Sequence, residues 1–212
     1  MSPFANAAMP LVNTIGSFVL LIILLRFLLQ LVRADFYNPI SQFIVKATNP
    51  ILVPLRRIIP SVGSLDIASL LLLYTAEVLL IAAIFWVSGS SFIPWISLLI
   101  WAPIAIFSLI LNLYFWGLIL VVIASWIAPN SYNPALILVN QLIEPMMRPV
   151  RRILPNMGGL DFSPLAAFLI IQLTEILILG PLVNALGIPP EILILGPLVN
   201  ALGIPRGIVL GL

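Results

Sequence analysis

The chain has 212 residues, of which 62% are hydrophobic and only 8% charged, and its mean hydropathy is +1.24. Soluble domains carry about 25% charged residues, so this composition points to lipid as the solvent. With no cysteine, no histidine and a formal net charge of +2, the sequence gives no basis for disulfides, thiolate or imidazole metal sites, His-assisted nucleophilic catalysis or nucleic-acid binding; no metal or cofactor is expected and the chain reads as non-enzymatic.

Residues 11–34 form the first predicted span, because about 20 apolar residues at 1.5 Å each cross a hydrocarbon core of about 30 Å. Arg26 and Gln30 interrupt it, and Arg33 and Asp35 close it. It lacks a basic leader and a small-residue cleavage site, so it reads as a retained anchor. After Tyr37-Asn38-Pro39, the spacing of Ile40, Phe43, Ile44 and Ala47 predicts a short amphipathic helix lying in the membrane interface. A proline-rich frame follows, from Pro50 through Arg56-Arg57 to Asp66. Its prolines at 50, 54 and 60 predict a bent or broken helical piece. The second span is predicted over Ile67–Val87 and contains Glu77.

The frame then recurs. Pro145 through Arg151-Arg152 to Asp161 repeats P-x-x-x-P-x-R-R-I-x-P-x-x-G-x-L-D without a gap, and Tyr132-Asn133-Pro134 repeats the upstream turn, both at a constant offset of 95 residues. Three prolines, two arginines, a glycine and an aspartate in one register make an internal duplication. The offset divides the long apolar run after residue 92 into a linker helix, 93–105, or an extension bent at Pro103, and a third span, about 107–127. A second amphipathic element is predicted over 134–143. The fourth span is predicted to start near Ser163-Pro164, with Ser163 as cap and Pro164 in the first turn. The expected organisation is therefore a first repeat over 11–92, the linker, a second repeat over 106–180, and an apolar tail over 181–212.

Within the tail, Glu191–Pro205 repeats Glu175–Pro189 identically at an offset of 16. That shift turns an ideal helix by about 160°, so the copies would face opposite ways; the repeat reads as a tolerated extension. Gly180-Pro181 and Gly196-Pro197 predict an interfacial tail rather than two further spans, although 190–212 is long enough to cross once.

Most Lys and Arg residues cluster in or beside the two frames, which the positive-inside rule assigns to the cytoplasm with both termini outside. The expected fold is an all-α polytopic membrane protein, with four spans in two parallel repeats and a cytoplasmic amphipathic, proline-rich segment inside each.

The repeated P-x-x-x-P-x-R-R-I-x-P-x-x-G-x-L-D segment between paired spans resembles the YggT (YlmG) family of small bacterial and plastid membrane proteins, over about residues 14–175. The resemblance implies links to osmotic and potassium tolerance and to a cell-division gene neighbourhood in bacteria. In plastids it implies links to cytochrome b cofactor assembly and nucleoid distribution. It carries over no catalytic residue.

Three groups of residues invite a function. Arg56, Arg57, Arg148, Arg151 and Arg152 suit anionic lipid headgroups or an acidic partner, because guanidinium groups bind phosphate in a bidentate manner; the alternative is that they fix topology and pair with Asp66 and Asp161. Those two aspartates read as helix-entry or arginine-pairing groups. Arg26 and Glu77, counted from expected span ends at Ala34 and Asp66, lie at about 12 and 16 Å depth and are predicted to form an intramembrane ion pair. Their counterparts at the repeat offset are Val121 and Gln172, so the second repeat lacks both charges. Gln172 and Glu175, the latter with Asn112 as a candidate partner, complete a polar path.

Two functions follow. One is a membrane organiser or assembly factor of the cell inner membrane, contacting lipid or a cytoplasmic or membrane protein. The other is a small transporter, channel or channel modulator in potassium and osmotic homeostasis, for which self-association is expected because four spans enclose little space.

Overall fold

The computed structural model describes residues 3–63, 65–90, 94–127, 131–154, 161–189 and 192–193. Helix α1 spans Pro3–Leu31, α2 Pro39–Ile58, α3 Ile67–Val87, α4 Trp95–Ile127, α5 Pro134–Ile153 and α6 Ser163–Thr174. A π-helical turn, Glu175–Leu179, joins α6 to α7, Gly180–Ala185. No strand occurs among the described residues; a single antiparallel bridge joins Val62 to Leu65 across Gly63, whose φ of 61° only glycine adopts freely. Four segments are long and apolar enough to cross a membrane: Ala7–Leu31, Ile67–Val87, Trp95–Ile127 and Ser163–Ala185. The protein is thus an all-α polytopic membrane protein built from two repeats.

The repeat offset is kept in three dimensions. Adding 95 to the ends of α2 gives the ends of α5. Asn38 and Asn133 cap the two helices in the same way, each side-chain oxygen accepting from the backbone N–H two residues on (2.9 Å in both). Pro39 and Pro134 follow in the first turn, where a missing N–H costs nothing. The two helices touch, and the repeats are tied by Asn38 Nδ2 donating to the Pro134 carbonyl (2.7 Å) and by the Asp35 N–H donating to Gln141 Oε1 (2.9 Å). Both frames therefore stand at one end of the bundle.

Several expectations need correction. The short interfacial helix and the broken proline piece are a single 20-residue helix in each repeat. Pro50 and Pro54, like Pro145 and Pro149, lie four residues apart on the exposed side of the helix. The carbonyls they leave without donors consequently open outward rather than into the core. Pro60 lies beyond the cap residue Ile59, so it follows the helix rather than breaking it. Of the two readings of 93–105, the extension is the one found: α4 runs as one helix from Trp95 through Pro103 into the third span. Gly180-Pro181 does not end the fourth span: the Gly180 N–H reaches back to the Glu175 carbonyl, and the wider π turn carries the helix past the proline to Ala185. The Gly187 N–H donating to Asn184 O and the Ile188 N–H to Val183 O then close it, with Gly187 at φ 60°. Of the tail's second duplicated copy only Ile192 and Leu193 are described; the rest, with Arg206, lies outside the described residues.

Two apolar cores hold the bundle. Leu20, Leu24, Leu28, Leu73 and Leu80 pack α1 against α3, and Ile81, Leu98, Ala105, Met147 and Ile171 join α3, α4, α5 and α6. Gly16 brings α1 close to α3, since a Cβ there would lie 2.2 Å from Leu80 Cδ1. Leu11, Phe18, Leu79, Leu120, Leu169 and Leu177 point outward, as lipid-facing positions should. Trp86, Trp95 and Trp126 are exposed near span ends, where aromatic belts form. Trp101 departs from that pattern: it is buried, stacks on Phe85 and donates to the Leu186 carbonyl (3.2 Å).

Candidate functional site: the paired arginine frames

Each frame ends a helix with two arginines, and the fold gives the two different tasks. Arg56, the first of its pair, turns inward. One Nη2 donates to Gln30 Oε1 (2.8 Å) on α1 and also to the Asp66 carboxylate. Asp66 is 1% exposed, and Ser69 Oγ one turn into α3 donates to the same carboxylate oxygen. Burial alone pushes the Asp66 carboxyl up, but the hydrogen bonds from Arg56 and Ser69 outweigh it and hold the group below the usual carboxylate range. Asp66 occupies the cap position of α3 without a side-chain cap bond; its Oδ2 accepts from Arg56 and Ser69, and its Oδ1 is buried without a partner among the described residues.

Arg151 stands where Arg56 stands, one repeat on. It bonds Glu144 Oε2 (3.0 Å) and lies 3.5 Å from Asp161 Oδ2, with both partners open to solvent. Asp161 Oδ1 accepts from the Ser163 N–H (2.9 Å), so the aspartate rather than Ser163 satisfies the start of α6. That bond, and then Arg151, lower its carboxyl below the ordinary value. Arg148 pairs with Glu144 (3.2 Å) one turn away.

Arg57 and Arg152, the second members, behave alike. Both are exposed, and neither forms an ion pair among the described residues. They are one repeat apart, at the ends of two helices that touch, so the bundle end presents two uncommitted guanidinium groups.

The predicted Arg26–Glu77 ion pair does not form. The first span ends at Leu31 rather than Ala34, which leaves Arg26 about 8 Å from its end, while Glu77 lies about 15 Å from the start of α3. Glu77 is 0% exposed, and neither carboxyl oxygen has a hydrogen-bond partner among the described residues. Glu175 is also buried, at the first position of the π turn. Gln172 is half-buried one turn earlier, and Asn112, a candidate partner of Glu175, donates to the Ser108 carbonyl (3.1 Å).

Sequence reasoning missed Gln30, Ser69 and Glu144. Glu144 was within reach of it: the residue precedes Arg148 by four and Arg151 by seven, which places all three on one helical face. Gln30 carried no local signal, since its partner is 26 residues away. The second halves of the two frames cannot be compared, because residues 155–160 lie outside the described residues.

The family model described as CCB3/YggT matches residues 5–87 and again 100–182, two segments set apart by the same 95 residues. An uncharacterized protein of Pseudomonas aeruginosa is 51% identical over 187 residues, covering 88% of this chain and 95% of its own. A Vibrio alginolyticus protein encoded in the proC 3' region is 39% identical over 181 residues, 84% of this chain and 97% of its own. The YggT protein of Escherichia coli K12 is 40% identical over 166 residues, 78% of this chain and 86% of its own. No solved structure matches.

Proposed function

Because the chain belongs to the CCB3/YggT family, a family of duplicated membrane proteins, we propose that it is a non-enzymatic organiser or assembly factor of the cell inner membrane. Its basic face contacts anionic lipid or an acidic protein partner on the cytoplasmic side. The carrying observation is the division of labour within each arginine pair. Arg56 is paired with a buried carboxylate and Arg151 with exposed ones, whereas Arg57 and Arg152 are exposed and form no ion pair among the described residues, at equivalent places on adjoining helices. A guanidinium group without an internal partner is available for bidentate phosphate or carboxylate recognition. The positive-inside rule assigns this face to the cytoplasm, and with it the start of α1 and the end of α7 to the opposite side.

The test is affinity purification of the full chain in mild detergent, quantifying co-purified acidic phospholipid and protein. Arg57→Gln/Arg152→Gln is expected to reduce recovery of the specific companion about tenfold while leaving thermal stability unchanged. Retention of every companion by that variant would remove the basis of the proposal.

A second reading rests on Glu77, whose carboxyl is fully buried in a span without a partner. Intramembrane ionisable groups mark ion or proton routes by default. On this reading the protein is a small transporter, channel or channel modulator in ion homeostasis, with Glu77 and Glu175 on the path.

A further inference from the structure

The corner between α1 and α2 holds a polar cleft that the paired arginines do not account for. After Leu31 the chain leaves α1 through Arg33, whose φ of 54° lies in the left-handed region, with the Ala34 N–H returning to the Leu29 carbonyl (2.9 Å). The turn leaves a cleft of about 320 Å³, lined by Arg26, Gln30, Arg33 and Ser41 with Leu29 and Phe36 among its apolar walls.

The polar lining offers donors. Ser41 is 3% exposed and its hydroxyl has no partner; Arg26 Nε is also buried without one. Gln30 spends its carbonyl oxygen on Arg56, which leaves its NH2 group as the free end of the amide. Arg33 forms no ion pair among the described residues. Of the nearby carboxylates, Asp66 gives its Oδ2 to Arg56 and Ser69 while its Oδ1 is buried without a partner among the described residues, and exposed Asp35 accepts from the Tyr37 N–H. The C-terminus of α1 contributes about half a negative charge, which two guanidinium charges outweigh, and Ser41 lies in the first turn of α2, where the helix dipole is positive. Ser41 Oγ and Arg26 Nε are buried donors without acceptors among the described residues, which is costly, and together with half-buried Gln30 and exposed Arg33 they line one open cleft as an anion site does.

The second repeat supplies a control within the chain. The residues 95 positions after Arg26, Gln30, Arg33 and Ser41 are Val121, Ser125, Ala128 and Leu136. The described helices α4 and α5 pack there without the polar set, so the helix pair does not require it.

We propose that this cleft binds the phosphate of an anionic glycerophospholipid headgroup, with Arg26 and Arg33 on the phosphate oxygens and Gln30 and Ser41 as neutral donors. A lipid rather than a free phosphate is the occupant because the cleft lies at the end of a span beside an exposed phenylalanine, Phe36, that can cover the glycerol region. The site is separate from the exposed Arg57 and Arg152 of the functional proposal and does not depend on them.

Native mass spectrometry of the full chain in detergent, titrated with phosphatidylglycerol, with phosphatidylcholine of the same acyl chains and with inorganic phosphate, tests it. One phosphatidylglycerol is expected to bind about tenfold more tightly than phosphatidylcholine. Arg26→Gln and Arg33→Asn should each bring the two lipids within about twofold; asparagine tolerates the left-handed backbone, so the second variant removes charge without strain. Ser41→Ala should weaken phosphatidylglycerol binding about threefold without lowering thermal stability, since the lost hydroxyl has no partner in the fold. The inference is overturned by equal binding of the two lipids in wild type or by a preference that survives Arg26→Gln/Arg33→Asn. Displacement of the bound lipid by millimolar phosphate would make free phosphate the ligand and overturn the lipid assignment.

Discussion

Asp66→Ala is expected to destabilise the protein by about 3 kcal/mol, whereas Asp161→Ala should cost no more than about 1 kcal/mol. The two aspartates are equivalent in sequence and unequal in setting. Asp66 is buried and accepts from both Arg56 and Ser69, so its removal strands a guanidinium group and a hydroxyl that have no other carboxylate. Asp161 meets Arg151 at 3.5 Å in solvent, and Arg151 retains Glu144 when Asp161 is lost. Both carboxyls are held below their ordinary pKa of 3.8 in the fold. A depressed carboxyl stabilises the folded state fully above its unfolded pKa, and that contribution disappears as pH falls through the folded value. Thermal unfolding in detergent should therefore show a large gap between wild type and Asp66→Ala at pH 7 that narrows below about pH 3.8. Equal costs for the two aspartates would mean that burial does not distinguish the repeats.

The second large effect has the opposite sign. Glu77→Leu should stabilise the bundle by about 1–2 kcal/mol against denaturation by dodecyl sulfate, because it replaces a buried carboxyl lacking any partner by an apolar side chain of similar size. The gain stays modest because a carboxyl released into lipid or micelle finds few partners either. The same variant separates the two functional readings. An organiser keeps its companions when Glu77 is replaced. A transporter loses potassium or sodium flux in proteoliposomes, and flux that is present in wild type and absent in Glu77→Leu would move the account to the second reading. A destabilised Glu77→Leu would show that the carboxyl has a structural partner after all.

The sequence carried the architecture because duplication is a comparison that one chain makes with itself. The offset of 95 residues aligns α2 with α5 to the residue, and the apolar run Ile67–Val87 coincides with α3. What it did not carry were features set by which side of a helix faces out. Pro50 and Pro54 look like breakers in a string of letters, yet four-residue spacing puts both on the exposed face of an unbroken helix. The Arg26–Glu77 pairing rested on similar depths, but α1 ends three residues earlier than the apolar run suggests, which leaves the two charges about 8 and 15 Å from their helix ends. The backbone sets that end: the chain turns at Arg33 through a left-handed conformation two residues past Leu31. The arginine frames were visible as motifs, but the difference between Arg56 and Arg57 depends on Gln30 and Ser69, residues outside the motif that only folding brings near.

The central claim is that the two frames form one basic platform on a single side of the membrane. The absence of native cysteine allows a direct measurement: Arg57→Cys, Arg152→Cys and Ser90→Cys, each alone, labelled with a membrane-impermeant maleimide in intact spheroplasts and in inverted vesicles. Parallel repeats predict that Arg57→Cys and Arg152→Cys react together in inverted vesicles and Ser90→Cys reacts in spheroplasts. Reaction of Arg57→Cys and Arg152→Cys from opposite sides would contradict the account.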